Sequence, residues 1–238
     1  RHQKLIEIAP APALDQSMRV NLIEASRSLA MAANYEGLGT FEFLVNTSDQ
    51  EPFFAFIETN ARLQVEHTVS EEVMGVDLVQ LQISLAQGDL FTSMGIDQAA
   101  IGNPQGYAIQ ARVNMETMLA DGTTKPSGGT LSAFDVPSGP GVRTDTFGYV
   151  GYKSSPSFDS LLAKVIAYSK SQKFETVAKK TYRALRDFRI EGLATNISLL
   201  QSLLMDDNFV GSRIHTRYLD EHIAEILDRV DSPDSKFF

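Results

Sequence analysis

Phe56-Ile57-Glu58-Thr59-Asn60-Ala61-Arg62-Leu63-Gln64-Val65-Glu66-His67 puts a polar group at every second position: Glu58, Asn60, Arg62, Gln64 and Glu66. Ile57, Thr59, Ala61, Leu63 and Val65 fill the positions between them. Successive side chains of an extended chain point to opposite faces, so the period of two predicts a strand with one polar and one mostly apolar face. At roughly 3.3 Å per residue, two carboxylates, a guanidinium and two amides would share about 30 Å of chain. His67 alternates away from that face and reads as structural.

A second acidic strand precedes it. Thr40-Phe41-Glu42-Phe43-Leu44-Val45 is rich in β formers and carries one carboxylate among apolar neighbours. Turn chemistry follows in Asn46-Thr47-Ser48-Asp49-Gln50-Glu51-Pro52, and Phe53-Phe54-Ala55-Phe56-Ile57 returns apolar. The pattern predicts a hairpin with a loop of about seven residues. Pairing would bring Glu42 near Glu58. Two carboxylates facing one pocket repel unless a cation lies between them, and a hard divalent ion prefers oxygen ligands. Asn60 could add a neutral oxygen. Period and composition alone favour a solvated strand face with incidental charges, because charged faces are common.

Helices are expected over about 17–34, 77–87, 172–188, 195–206 and 212–230, and strands over 107–115, 130–135 and 161–168. In the first helix, Asp15 or Ser17 is the expected cap, and Val20, Ile23, Leu29, Ala30 and Ala33 form the expected apolar stripe. Leu78, Leu81 and Leu85 should face inward in the second, which stops at Gly88. Gly128-Gly129 and Gly139-Pro140-Gly141 read as turns rather than phosphate cradles, because no strand–Gly-loop–helix context surrounds them. His215 and His222 fall in the C-terminal helical region with no role assigned.

The segment Glu58-x-Asn60-x-Arg62-x-Gln64-Val65-Glu66-His67 resembles the core of biotin carboxylase, an ATP-grasp enzyme of biotin-dependent carboxylases. The resemblance extends along the chain in the family's order. It takes in Arg1-His2-Gln3-Lys4, Ala9-Pro10-Ala11-Pro12, Gly39-Thr40-Phe41-Glu42-Phe43 and Gly106-Tyr107-Ala108-Ile109-Gln110-Ala111-Arg112-Val113-Asn114. Gly139-Pro140-Gly141-Val142-Arg143, Phe158-Asp159-Ser160-Leu161-Leu162-Ala163-Lys164 and Thr195-Asn196 continue it. The fold class implied is α+β. Residues 1–98 would be the C-terminal half of an ATP-grasp domain, with antiparallel sheet and helices. Residues 103–228 would be a biotin carboxylase C-terminal α+β domain, and 229–238 a linker or tail. The family's N-terminal domain and Gly-rich lid have no counterpart in this sequence. The chain is therefore expected to be a piece of a longer one, inactive alone because lid closure protects a labile intermediate from water. Thr68 stands where proline is common in the family, the 46–52 loop has a few extra residues, and 115–122 is unusual.

The resemblance implies a site. Glu42 and Glu58, helped by Asn60, would hold Mg²⁺ or Mn²⁺ bridging the ATP phosphates. Arg62, Gln64 and the backbone of Val65 would bind bicarbonate, and Glu66 would be the base that deprotonates it for attack on the γ-phosphate. Carboxyphosphate would break down to CO₂ and phosphate, and phosphate would remove the N1′ proton of biotin. Arg112 would stabilise the charge developing on the ureido oxygen, with Arg62 and Glu66 completing the catalytic set. His2, Lys4, Leu44 and Glu58 would contact the nucleotide. Cations and rigid guanidinium forks suit this chemistry, because phosphoryl transfer is catalysed chiefly by positioning and charge neutralisation. ATP, the divalent metal and biotin on a carrier domain are the implied cofactors. A carboxyltransferase, on the same chain or a separate subunit, and a second copy of the chain are the implied partners. A scaffold or dimerisation fragment and another ATP-grasp ligase, such as a carbamoyl-phosphate synthetase, are the alternatives. The acyl acceptor is not encoded in these residues.

Composition is compatible with this reading. The 238 residues carry a net charge of −9 with no basic stripe, which argues against a nucleic-acid partner. No apolar run approaches the length of a membrane span, and no signal pattern opens the sequence. There are no cysteines, which rules out disulfides and thiolate chemistry. A cytoplasmic location is expected, or the mitochondrial matrix in a eukaryote.

Overall fold

The computed structural model describes residues 4–47, 52–99, 101–155 and 157–231. The chain forms two compact units, one of residues 11–104 and the other joining residues 1–10 to 105–238. β1 (Ile6–Ala9) thus belongs to the second unit although it precedes the first in sequence.

In the first unit, α1 (Gln16–Ala32) begins where the Asp15 carboxylate accepts from the Ser17 and Met18 amides at 2.7 and 2.9 Å. Those amides are among the donors that a first helical turn leaves without backbone partners. The expected apolar stripe is corrected: Val20, Ile23 and Leu29 are 46%, 42% and 39% exposed. Met18 is buried instead, with Leu22 and Ala25 half-buried one and two turns on. Both stripes fit a 3.6-residue period, and packing, which the period does not encode, selects the one through Met18.

β2 (Thr40–Asn46) and β3 (Phe53–Asn60) form the expected antiparallel hairpin. Phe43 meets Phe54 and Phe56 edge-on, with centroids 5.6 and 5.8 Å apart, a favoured aromatic geometry that fixes the register. The strand expected over 56–67 is cut short at Asn60. Arg62 N donates to Asn60 O at 2.8 Å and His67 N to Gln64 O at 3.2 Å, turning the chain into α2 (His67–Met74). That helix ends on Gly75, whose φ of 67° is left-handed and costs glycine little. α3 (Leu78–Ala86) follows, capped by Asp77 accepting from Gln80 N at 2.8 Å, with Leu78, Leu81 and Leu85 on its half-buried side.

The second unit runs β4 (Tyr107–Asn114), β5 (Glu116–Met118), β6 (Thr124–Pro126), β7 (Ala133–Asp135), β8 (Val142–Thr146) and β9 (Leu161–Ser169). α4 (Phe174–Asp187), β10 (Arg189–Glu191), α5 (Ile197–Leu204), α6 (Asp207–Val210) and α7 (Tyr218–Asp231) complete it. β1, β4, β9 and β8 lie side by side in that order, every pair antiparallel. Alternation divides this sheet. Ile109, Ala111 and Val113 of β4 and Ala163, Val165 and Ala167 of β9 pack under Val177, Ala178 and Leu185 of α4 and Leu200 and Leu204 of α5. Val177 and Leu185 are almost fully buried, each worth about 1.5–3 kcal/mol of transfer free energy. Gln110, Arg112 and Asn114 take the alternate positions of β4, so the opposite face of that strand is polar.

The helix expected over 212–230 is corrected to α7, which starts only at Tyr218, and the separate short α6 at Asp207–Val210 lies ahead of that range. Asp206 caps the short α6 by accepting from Asn208 N and Phe209 N at 2.9 and 3.1 Å. Ser212 then takes a φ of 55°, and helix resumes only at Tyr218. The strand expected over 130–135 shrinks to Ala133–Asp135, and β1, β5, β6, β8 and β10 were not anticipated. Each is a short run without a sustained period of two, so only its partner strand defines it.

Candidate active site

The residues singled out from the sequence fall into two clusters, one in each unit.

In the 11–104 unit, Glu42 and Glu58 are direct partners across β2 and β3. The register shifts between Glu42 and Phe43, so Ile57 has no partner and the ribbon kinks beside the two acids. The Asn60 amide bridges them, donating to Glu42 Oε1 at 3.1 Å and to Glu58 Oε1 at 2.9 Å. Gln64 Nε2 donates to the same Glu42 oxygen at 3.2 Å. Gln64 is only 9% exposed, and its own Oε1 is buried and accepts no hydrogen bond among the described residues. The turn that carries it is pinned by His67, whose Nδ1 lies 2.7 Å from Gln64 O while Nε2 lies 3.8 Å from buried Glu71. His67 thus bonds to the turn and to α2 from the first position of that helix.

Glu66, half-buried, precedes the first residue of α2, with Val69 N donating to its carbonyl at 3.3 Å. Val65 is half-buried beside it. Arg62 is exposed, donates to Leu63 O at 3.2 Å, and lines a cavity of about 720 Å³ with Tyr35, Leu38, Leu63, Leu85 and Phe91. Leu44 is 51% exposed on β2. The alternation of residues 58–66 therefore does not place these groups on one strand face. Glu58 and Asn60 share a face, and Gln64 returns to Glu42 through a turn.

The set suits a hard cation in part. Among the described residues no three of His, Cys, Asp and Glu gather as a metal site. Two facing carboxylates and an amide do gather, and Mg²⁺ commonly takes one or two protein carboxylates together with substrate phosphate oxygens. The bridging Asn60 nitrogen is a neutral donor between two acids, and turning the amide over presents its oxygen instead.

In the other unit, Arg112 of β4 forms an ion pair with Glu7 of β1, Nη2 to Oε1 at 2.5 Å. Gln110 Nε2 donates to the other Glu7 oxygen at 2.8 Å. Arg112 N donates to Leu5 O at 2.9 Å, and Asn196 Nδ2 donates to Arg112 O at 3.0 Å. Lys164 of β9 is the cross-strand partner of Arg112, and Asp145 of β8, 3.2 Å from Lys164 Nζ, offsets the like charges. The Asp145 carboxyl is held below its usual range: burial opposes its ionisation, and hydrogen bonds and charge from Arg143 and Lys164 outweigh that. Lys4 is exposed ahead of β1, and His2 lies outside the described residues. Glu7 is the residue that sequence reasoning missed. Its signal was a single carboxylate inside the apolar run Leu5-Ile6-Glu7-Ile8.

Residues 110–221 match the family model of the biotin carboxylase C-terminal domain, and residues 1–93 that of the ATP binding domain of the carbamoyl-phosphate synthase L chain. Pyruvate carboxylase 1 of Caenorhabditis elegans is 43% identical over 223 residues, 93% of this chain and 18% of that protein. The biotin carboxylase domain of a single-chain bacterial carboxylase superposes with a TM-score of 0.88 at 43% identity, covering 96% of this chain and 51% of that one. The biotin carboxylase domain dimer of Hydrogenobacter thermophilus 2-oxoglutarate carboxylase, in complex with MgADP, ADP and bicarbonate, gives 0.84 at 35% identity over 94% and 47%. The chain spans about half of these biotin carboxylase domains and a smaller share of the pyruvate carboxylase. Its mixed helices and antiparallel strands, both family models and the matched solved domains agree: the chain belongs to the biotin carboxylase family.

Proposed function

We propose that this chain is part of a biotin carboxylase that uses ATP and bicarbonate to carboxylate biotin borne on a carrier domain. The observation that carries the reading is the shared Glu42 oxygen, which ties Asn60 of the acidic hairpin to Gln64 of the turn before Glu66. Residues assigned to the metal and to bicarbonate thereby form one network. Among the described residues the buried Gln64 Oε1 accepts no hydrogen bond.

Mg²⁺, when bound, supplies charge neutralisation to the phosphates, with Glu42, Glu58 and Asn60 as its protein ligands. Arg62, Gln64 and the Val65 backbone hold bicarbonate, and Lys4 and His2 act on the nucleotide with Leu44 as an apolar contact. Glu66 takes the bicarbonate proton as that oxygen attacks the γ-phosphorus and the bond to ADP breaks, giving carboxyphosphate and ADP, with a positioned-base contribution of about 10²–10⁴ in rate. Arg112 stabilises charge on the ureido oxygen of biotin. The H. thermophilus relative, a dimer with MgADP, ADP and bicarbonate, supports the nucleotide, the metal, the anion and self-association. A relative that is a single-chain, multi-domain long-chain acyl-CoA carboxylase supports a carrier domain and a carboxyltransferase as working partners.

The test is ADP release by the full-length protein with Mg²⁺, free biotin and bicarbonate, wild type against Glu66→Gln. Turnover that requires bicarbonate and falls at least about a hundredfold in the variant supports the reading. Equal rates remove Glu66 as the base, and absent bicarbonate-dependent turnover in the wild type removes the carboxylase reading.

A further inference from the structure

We infer that Glu7 is a positioning residue for Arg112, setting the orientation of the guanidinium that acts on the ureido oxygen. The inference rests on the role given to Arg112 above and extends it to a residue on a different strand. β1 is an edge strand of its sheet, and Glu7 is the cross-strand partner of Gln110. One carboxylate oxygen receives the Gln110 amide at 2.8 Å and the other pairs with Arg112 Nη2 at 2.5 Å. Gln110 is fully buried, and the side chains of Glu7 and Arg112 are 9% and 16% exposed. Gln110 therefore fixes the carboxylate, and the carboxylate holds the guanidinium beside it by charge.

The main chain at Arg112 is held independently, by Leu5 O on one side and Asn196 Nδ2 on the other. Backbone position and side-chain direction thus have separate supports, so loss of Glu7 loosens the direction while the strand stays in place. An exposed ion pair would carry little weight in such an argument. This one is largely withdrawn from water, and a guanidinium acting on an oxyanion must be aimed as well as charged.

The experiment uses the full-length protein and the variants Glu7→Gln, Glu7→Asp, Arg112→Lys and Glu7→Gln/Arg112→Lys. Two readouts are compared: kinetics of biotin carboxylation, and the rate of phenylglyoxal modification of Arg112 followed by peptide mass spectrometry. Expected for Glu7→Gln is a kcat about tenfold to a hundredfold lower, the range seen when a partner that orients a functional group is removed, with KM for ATP unchanged. Arg112 should be modified severalfold faster than in the wild type. Glu7→Asp, which keeps the charge on a shorter arm, should recover part of both effects, and it replaces Glu7→Gln if the latter fails to fold. In the Arg112→Lys background, Glu7→Gln should add no further loss, because its effect runs through Arg112. Losses that multiply in the double variant, or an Arg112 modification rate indifferent to Glu7, overturn the inference. Should the wild type not carboxylate biotin, the proposed function fails, and the modification rates decide alone whether Glu7 holds Arg112.

Discussion

Gln64 reaches Glu42 at 3.2 Å although 22 residues separate them, and it does so from a turn rather than from a neighbouring strand. One carboxylate oxygen therefore takes part in both the acidic hairpin and the segment leading to Glu66. Gln64→Ala removes a donor to that oxygen and a buried acceptor together. Hydrogen bonds to charged groups contribute about 1.5–3 kcal/mol, so the KM for bicarbonate should rise about 10- to 100-fold. Steady-state kinetics at saturating ATP measure it, and an unchanged bicarbonate KM would remove Gln64 from the substrate site.

The pairing of Glu42 with Glu58 makes opposite predictions with and without metal. Like charges directly opposite on a strand pair are destabilising, by up to about 1 kcal/mol. Glu58→Gln should therefore raise the melting temperature slightly in the absence of divalent ions. It should also shrink the additional stabilisation given by MgADP, since a ligand stabilises only as far as it binds the native state. Thermal melts with and without MgADP check both signs. A variant whose response to MgADP equals the wild type's would show that Glu58 holds no metal.

Asn196 is a stability prediction at the same polar sheet face. It is 3% exposed, accepts from Asn114 N at 2.8 Å and donates to Arg112 O at 3.0 Å. Asn196→Ala deprives two backbone groups of a partner in a place with little water. A cost of about 2–4 kcal/mol is expected in urea unfolding, mostly from desolvated groups left without hydrogen bonds. Asn196→Asp, which keeps the acceptor but not the donor, should fall between the two. A loss under about 0.5 kcal/mol for the alanine variant would mean that β4 is held by its strand neighbours alone.

These networks mark how far the sequence could be read. The hairpin, and the approach of Glu42 to Glu58, followed from alternating β formers around a turn-rich segment, because register on a two-sided ribbon is set by pattern and turn. The path from Asn60 to Glu66 did not follow. Polar residues two apart look the same in a strand and in an irregular turn, and the bonds that bend this chain run from backbone to backbone. Glu7 was hidden for a related reason. Residues 5–8 form a strand only because β4 accepts them as an edge, and a carboxylate in an apolar run gives no hint of a partner 105 residues away. On α1 the period was right and the face wrong, since Val20, Ile23 and Leu29 make as good a stripe as Met18, Leu22 and Ala25.

The C-terminal helices should carry a distinct pH signature. Asp206 is 2% exposed and receives the Tyr218 hydroxyl at 2.7 Å and Arg229 Nη1 at 2.8 Å, besides the two amides of α6. Burial opposes its ionisation, but the Tyr218 hydroxyl, the Phe209 amide, Arg229 and the Asn208 amide together hold the carboxyl below its usual range. A depressed folded pKa contributes stability that is complete above the unfolded value of about 4 and is lost as pH falls through the folded one. Tyr218 is shifted upward, by burial first and then by the Asp206 charge, against the bond from Asn208. Its contribution is complete below about pH 10 and is lost as pH rises through the higher folded value. Stability contributed by this pair should thus be flat from about pH 5 to 9 and fall on both sides. Asp206→Asn should destabilise most at neutral pH, with the gap to wild type narrowing below about pH 4, and Tyr218→Phe should cost about 1–2 kcal/mol at pH 7. Urea unfolding of both variants at pH 3, 7 and 10 provides the measurement. An Asp206→Asn deficit as large at pH 3 as at pH 7 would mean that the ionised carboxylate is not what holds α6 and α7 together.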